Sequence, residues 1–419
     1  MKVCVVGLGY IGLPTAALMA SHGNIVVGVD ISKRAIEDIR RTGGPAEEPG
    51  LQKLVKGVLK DGSLRLSLKP EKSDAFILCL PTPVNEDKTA DLSYVVAATK
   101  SILPFVKKGN LVVLESTVPP GTTEKVVAKL VKAKGLDPRK DVDLAHAPER
   151  VLPGKLLDEL VNVDRVMGGL TDRATERVRK LYSSYVKGKI MLTDATTAEF
   201  VKLIENSYRD VNIAFANELA ILSEMLAINV WEAIEIANHH PRVDIHRPGP
   251  GVGGHCIAVD PYFLVEIGEG RAELMAQARA INSHMPQHVV AKAERLLGRL
   301  KGKKVAVLGI AYKGNVGDPR ESPALDVIQL LESKGAKWAA YDPHVKYSPL
   351  KLSALEAALK GADLTILITD HREFLELEPK ELGNLVKGRL ILDTRRMLDR
   401  AKWTSAGWRV VCLGDSKKR

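Results

Sequence analysis

The sequence predicts an α/β protein: two doubly wound, Rossmann-like domains joined by a long central helix. Three observations predict it. The chain opens with a strand, a glycine turn, a helix and a second strand ending in an acid, KVCVVGLGYIGLPTAALMASHGNIVVGVD. After Gly302 the plan restarts, in KKVAVLGIAYKGNVGDPRESPALDVIQLLESKGAKWAAYDPHV. Between them, AEFVKLIENSYRDVNIAFANELAILSEML repeats apolar residues at helical spacing over roughly 30 positions, longer than most globular helices. A chain of 419 residues exceeds one ordinary core. The expected division is 1–194, 195–299 and 300–419.

In the opening unit, the β-branched run Val3 to Val6 leads into Gly7-x-Gly9-x-x-Gly12, then a helix to about Ser21. A second strand, Ile25 to Val29, ends in Asp30, 18 residues past the third glycine. Set between strand and helix, with that acid beyond, the glycine pattern reads as a dinucleotide site. The turn residues Gly7, Gly9, Tyr10, Ile11 and Gly12 are expected to hold NAD, with the pyrophosphate at the helix N-terminus. Asp30 can accept both ribose hydroxyls and would repel a 2′-phosphate, which favours NAD over NADP. Arg34, one turn on, has the opposite preference.

Further strands are expected within 74–83, 109–123 and 141–154. Ligands bind beyond the carboxyl ends of such strands. Thr82, Thr117 and Glu149 therefore fall where the nicotinamide half would lie, and Arg150 and Val151 follow on the substrate side. As plain turn formers, the two threonines would need no ligand. The long helix is expected to begin at Thr196-x-x-Glu199, a capping-box spelling. Along it, Lys202, Asn206 and Arg209 at i, i+4 and i+7 share one face, either as a site or as a solvated stripe. In the closing unit the glycines have degenerated to Gly309-x-x-x-x-Gly314, which argues against a second NAD. Strands within 363–374 and 389–398 complete a domain expected to hold another nucleotide-like ligand.

Formal net charge is +10, yet the basic residues are spread and mixed with acids, and only the terminal SKKR forms a basic tail. Small polyanionic ligands fit this better than nucleic acid. The longest apolar runs are too short to span a bilayer, and the strand-like start MKVCVVG gives no secretory signal, so a cytoplasmic location is expected. Four cysteines without a C-x-x-C pair exclude a disulfide framework.

Three of those cysteines, Cys4, Cys79 and Cys412, sit in apolar stretches expected as strand interiors. Cys256 instead lies in GPGVGGHCIAVDP, a run expected to form no regular element. Consecutive N–H groups at Gly253 and Gly254 can form an anion-binding concavity beside the thiol. His255 and Asp260 stand near enough to influence its protonation. A thiol beside NAD suggests aldehyde oxidation through a thiohemiacetal and a thioester; a cysteine that merely fills a turn is the plain alternative. A metal reading competes, because His239, His240 and His246 crowd the same stretch, but no pair has zinc-ligand spacing and no metal is expected.

The segments VVGLGYIGLP, CLPTP, ESTVPPGT, APER, AEFVKLIENSYRDVNIAFANE, GPGVGGHCIAVDP and AYKGNVGDPRESPA together resemble the nucleotide-sugar 6-dehydrogenases of the UDP-glucose/GDP-mannose dehydrogenase superfamily. The resemblance covers nearly the whole chain. It implies a four-electron oxidation of a UDP-sugar's C6 alcohol to a carboxylate, with two NAD reduced and Cys256 as nucleophile. By the same resemblance Lys202 stabilises oxyanion charge and Asn206 orients the oxyanion or a water. Asp260 assists proton transfer, and Glu149 acts in thioester hydrolysis with Thr117 placing the water. Arg242 reaches a substrate site across a homodimer or larger homo-oligomer, Gly253 lines the sugar, Tyr312 and Lys313 contact the UDP, and Arg320 lies near the cofactor. Ile257, Ala258 and Val259 replace the aromatic and lysine of UDP-glucose enzymes. That resembles the branch acting on UDP-N-acetylmannosamine, with UDP-glucose, UDP-N-acetylglucosamine or a two-electron β-hydroxyacid oxidation as alternatives.

Overall fold

The computed structural model describes residues 1–45, 48–151 and 154–416. It divides into two compact units, Met1–Glu205 with Tyr262–Glu269, and Asn206–Pro261 with Gly270–Arg419. The basic tail from Lys417 lies outside the described residues.

The first unit is built on eight strands: β1 (Lys2–Val6), β2 (Ile25–Val29), β3 (Leu64–Ser67), β4 (Ala75–Leu78), β5 (Leu111–Leu114), β6 (Asp143–His146), β7 (Arg165–Gly169) and β8 (Ile190–Asp194). They order as β3-β2-β1-β4-β5-β6-β7-β8. The first six are parallel in the dinucleotide-binding order; β7 turns antiparallel to β6 and carries β8 parallel to itself. Helices cover both faces, so each inner strand is apolar on both sides. Val3 and Val5 enter one core cluster, while Cys4 and Val6, pointing the other way, enter a second.

The second unit carries a parallel sheet of β9 (Lys304–Leu308), β10 (Lys337–Tyr341), β11 (Leu364–Leu367), β12 (Leu390–Asp393) and β13 (Arg409–Cys412), ordered β10-β9-β11-β12-β13. Its opening unit does repeat the first domain's plan, as the sequence suggested.

The central helix runs Ala195–Met225, 31 residues. Its start corrects the capping-box expectation. Asp194, not Thr196, caps it, accepting Thr197 N–H at 2.9 Å and the Thr197 hydroxyl at 2.6 Å. Glu199 is turned inward instead, where it accepts Gly121 N–H at 2.5 Å, Thr123 N–H at 2.8 Å and the Thr123 hydroxyl at 2.6 Å. Burial pushes its carboxyl up to about 7. Among the described residues no helix is long and apolar enough to cross a membrane.

Candidate functional site

The glycine turn between β1 and its helix is shaped by contact with the end of β4. Gly7 sits at φ +91°, and a Cβ there would collide with the Cys79 carbonyl. A side chain at Gly12 would strike the Gly7 carbonyl, whereas Gly9 faces open space with nothing within 4 Å. The helix Gly12–Ser21 has no acid in its first turn, so its N-terminal N–H groups present an undiluted positive pole. Asp30 accepts Leu8 N–H at 3.1 Å and Ser32 N–H at 2.8 Å, and its remaining lone pairs are open to a diol. These features fit a dinucleotide. Arg34 points to solvent, 3.9 Å from Asp38. Tyr10 is held by its hydroxyl, which donates to Glu48 at 2.7 Å.

Asp30→Ala is expected to raise the NAD Kd about tenfold, the value of roughly 1.4 kcal/mol in lost ribose hydrogen bonding, and to narrow discrimination against NADP. Equilibrium titration of both cofactors measures this; an unchanged Kd would remove Asp30 from the site.

Beyond the strand ends, the Thr82 hydroxyl donates to the Thr117 carbonyl at 2.6 Å, which brings those two residues together. Glu149 lies 3.4 Å from Lys202, which is only 6% exposed, and accepts Val151 N–H at 2.8 Å. Arg150 forms an ion pair with Glu205 and donates to the Asp164 carbonyl at 3.1 Å, so its guanidinium is already engaged in the protein.

In the second unit the cysteine loop holds no helix or strand through Val259, as the sequence suggests, and then opens a helix. The Cys256 carbonyl accepts Val259 N–H at 2.9 Å and Asp260 N–H at 2.8 Å, opening the helix Asp260–Ile267. The Cys256 thiol is half-buried, 3.1 Å from His255 Nδ1. Asp260 is buried and accepts the Asn206 amide at 2.5 Å. The glycines there serve close packing. A Cβ at Gly253 would hit the Glu321 carbonyl, and one at Gly254 would lie 2.9 Å from the Tyr312 ring. Gly254 N–H donates to the Arg320 carbonyl at 3.3 Å, so that N–H is not available to an anion beside the thiol, contrary to the concavity expected from sequence.

Arg320 grips Asp318 with both arms, at 2.9 Å and 2.6 Å. Burial and the negative charges of Asp318 and Cys256 push the Tyr312 phenol up, keeping it a hydrogen-bond donor. Arg209, Arg242 and Lys313 are exposed; Arg209 is not drawn in with Lys202 and Asn206.

The other cysteines are placed for packing. Burial raises Cys4 to about 11 and Cys412 to about 12. Cys79 is not a strand interior: it follows the last residue of β4, with its thiol donating to Glu115 at 3.2 Å and Glu115 paired with Arg165 at 2.8 Å. The loop bends there to meet Gly7.

The restart domain differs at the equivalent acid. Asp342 accepts five hydrogen bonds, from Ile310, Ala311, His344 and Val345 N–H groups and from His371 Nε2 at 3.0 Å. No lone pair remains for a ribose, the physical reason a second NAD is not held as the first is. Sequence reasoning missed Glu48, which accepts from Tyr10, Gly154 and Leu156 and ties the glycine turn to the segment after Val151. No spacing rule marks one acid of an adjacent pair in a turn between two prolines.

Models of the UDP-glucose/GDP-mannose dehydrogenase family match along the chain: the NAD binding domain at residues 1–186, the central domain at 196–284 and the UDP binding domain at 306–400. The chain is 46% identical to the UDP-N-acetyl-D-mannosamine dehydrogenase of Methanocaldococcus jannaschii, over 99% of this chain and 97% of that one. It is 43% identical to an NDP-N-acetyl-D-galactosaminuronic acid dehydrogenase of Ralstonia solanacearum, over 94% and 96%. Among solved structures, a UDP-D-ManNAc dehydrogenase from Pyrococcus horikoshii superposes with TM-score 0.93 at 41% identity, each chain covered completely. A fold with one open dinucleotide turn, a second domain closed to dinucleotides and this full-length similarity place the chain in the UDP-glucose/GDP-mannose dehydrogenase family of NAD-dependent nucleotide-sugar dehydrogenases.

Proposed function

We propose that the protein oxidises the C6 alcohol of a UDP-N-acetylhexosamine, foremost UDP-N-acetyl-D-mannosamine, to the carboxylate. The observation that carries the chemistry is the Cys256 thiol, half-buried against His255 at 3.1 Å and followed one turn later by the Asn206–Asp260 pair. The choice of sugar rests on the names of the relatives and on the apolar Ile257-Ala258-Val259 following the thiol.

NAD, when bound, accepts a hydride in each of two oxidations. In the first, the C6 alcohol loses a hydride and a proton to give the aldehyde, its oxygen steadied by the Lys202 ammonium. The Cys256 thiolate then adds to the aldehyde carbon, forming a thiohemiacetal. Loss of a second hydride and the hydroxyl proton gives a thioester. Water attacks this thioester, the carbon–sulfur bond breaks, and carboxylate and free thiol are restored. Asn206 orients the oxygen on this carbon or a water and Asp260 takes the hydroxyl proton, while Glu149, balanced by Lys202, serves hydrolysis with a water placed by Thr117. Tyr312 and Lys313 hold the uridine diphosphate end and Arg320 belongs to the cofactor side, with Gly253, Arg150, Val151, Arg209 and Arg242 around the substrate.

Self-association belongs to the same reading. The central helix exposes Phe200, Ile204, Tyr208, Phe215 and Leu222, an apolar series that a homodimer would cover. The reaction draws on dissolved cofactor and nucleotide sugar, which suits the cytoplasm.

The test is to count NADH against product with UDP-glucose, UDP-galactose, UDP-N-acetylglucosamine and UDP-N-acetylmannosamine. Two NADH per uronate and the highest kcat/KM for UDP-N-acetylmannosamine are expected. One NADH per turnover would overturn the thioester route, and a preference for UDP-glucose would overturn the substrate.

A further inference from the structure

The cysteine loop enters its irregular course at Gly249, and the backbone there is held from within the second unit. Gly249 N–H donates to the Asn217 side-chain oxygen at 2.8 Å. Asn217, fully buried on the central helix, donates in turn from its amide to the Asn282 oxygen at 2.8 Å. Asn282 lies on the helix Glu273–Leu297 and donates to the Asp210 carboxylate at 2.8 Å and to the Asp210 carbonyl at 3.0 Å. Arg279 closes the series on the same carboxylate at 2.7 Å. All four side chains are at most 5% exposed.

The direction of every bond in this relay is dictated by its far end. Arg279 makes Asp210 an acceptor, Asp210 fixes which end of the Asn282 amide donates, and Asn282 fixes the Asn217 amide so that its oxygen faces Gly249. The loop is also closely packed against its neighbours. A Cβ at Gly249 would lie 2.6 Å from the Arg395 guanidinium, and Gly251, at φ +132°, would meet the Asn282 carbonyl at 3.2 Å. The Asn217 and Asn282 amides each have a partner at both oxygen and nitrogen, and a buried amide left half paired is costly, so one loop geometry is selected.

We propose that Asn217, oriented by Asn282, Asp210 and Arg279, is a positioning residue for Cys256, fixing the entry of its loop so that the thiol is presented in one place. This rests on the reading of Cys256 as nucleophile, although the placement itself can be measured without that reading. A thiol moved by about 1 Å loses on the order of a hundredfold in an aligned reaction.

The full-length protein is tested in two variants with UDP-N-acetylmannosamine and NAD, alongside iodoacetamide alkylation of Cys256 followed by peptide mass across pH. Asn217→Leu keeps the volume and loses both hydrogen bonds. It is expected to lower kcat about tenfold or more, to displace the pH midpoint of Cys256 alkylation, and to leave the KM for NAD within about twofold. Asn217→Asp keeps the oxygen for Gly249 and, when protonated, regains a donor for Asn282. Its kcat relative to the unaltered protein is expected to recover as pH falls, a response that simple destabilisation would not give.

Wild-type kcat and an unchanged alkylation profile in Asn217→Leu would overturn the proposal. So would a relative rate in folded Asn217→Asp that stays flat with pH, and this variant decides the matter if Asn217→Leu does not fold. Should Cys256→Ala still form uronate, the nucleophile reading falls, while the alkylation profile continues to judge the positioning.

Discussion

Cys256→Ala is expected to abolish uronate formation, lowering overall turnover by at least about a thousandfold, the scale on which removal of a covalent nucleophile acts. NAD affinity should stay within about twofold, because the glycine turn and Asp30 belong to the other compact unit. No other thiol can substitute. Cys4 and Cys412 are buried and held protonated at neutral pH, and Cys79 is engaged with Glu115 beneath the glycine turn. The measurement is NADH release and uronate yield on purified variant and parent. Undiminished acid production would reject the covalent route.

Asp342→Ala is expected to cost the second unit on the order of 3–5 kcal/mol, because it removes a buried carboxylate that accepts five hydrogen bonds and leaves several buried donors unpaired at about 1–3 kcal/mol each. The loss has named parts. His371, fully buried, would lose its carboxylate, and the N–H groups of Ile310 and Ala311 would be left without an acceptor at the turn after β9. For a unit of this size that corresponds to a fall in Tm of roughly 10 °C. Burial alone would raise the Asp342 carboxyl, but His371 and the surrounding N–H groups bring it down to about 2. Its contribution is therefore complete above the ordinary value of 3.8 and is lost as pH falls toward 2. Calorimetry across that window should show the parent losing stability that the variant never had. A Tm drop of only a degree or two would mean the acid is not a strut.

Most of the architecture was legible because parallel sheets covered on both faces leave long apolar runs, and because the turns between them need glycine or small polar residues. β1, β2 and the 31-residue helix follow directly from such patterns. Three strands were not legible, each for a physical reason. β3 is a four-residue edge with alternating exposure, β7 carries Arg165 and two glycines, and β8 is half-exposed. The capping error at Thr196 shows the same limit. The spelling was right, but a tertiary partner at Gly121 and Thr123 claimed Glu199, and Asp194 took over the cap.

For the site, residue types beside strand ends singled out Thr82 and Thr117, but neither their hydrogen bond nor the Glu149–Lys202 approach followed from spacing or composition. The i, i+4, i+7 reading put Arg209 with Lys202, yet it is exposed while Lys202 is buried. Glu48, Asp318 and Asn217 act through partners distant in sequence or through a local turn. Their importance lies in pairing, which a single sequence does not display.

The saturated Asp342 has a consequence for redesign. Restoring Gly-x-Gly-x-x-Gly after β9 would recreate the outline of a dinucleotide turn without its affinity, because the acid that should greet a ribose is already committed to holding that turn in place. A conversion would have to supply new acceptors for Ile310, Ala311 and His371 before any cofactor could compete. In this protein, resistance to a second dinucleotide is built into the scaffold of the second domain, not merely into the absence of a motif.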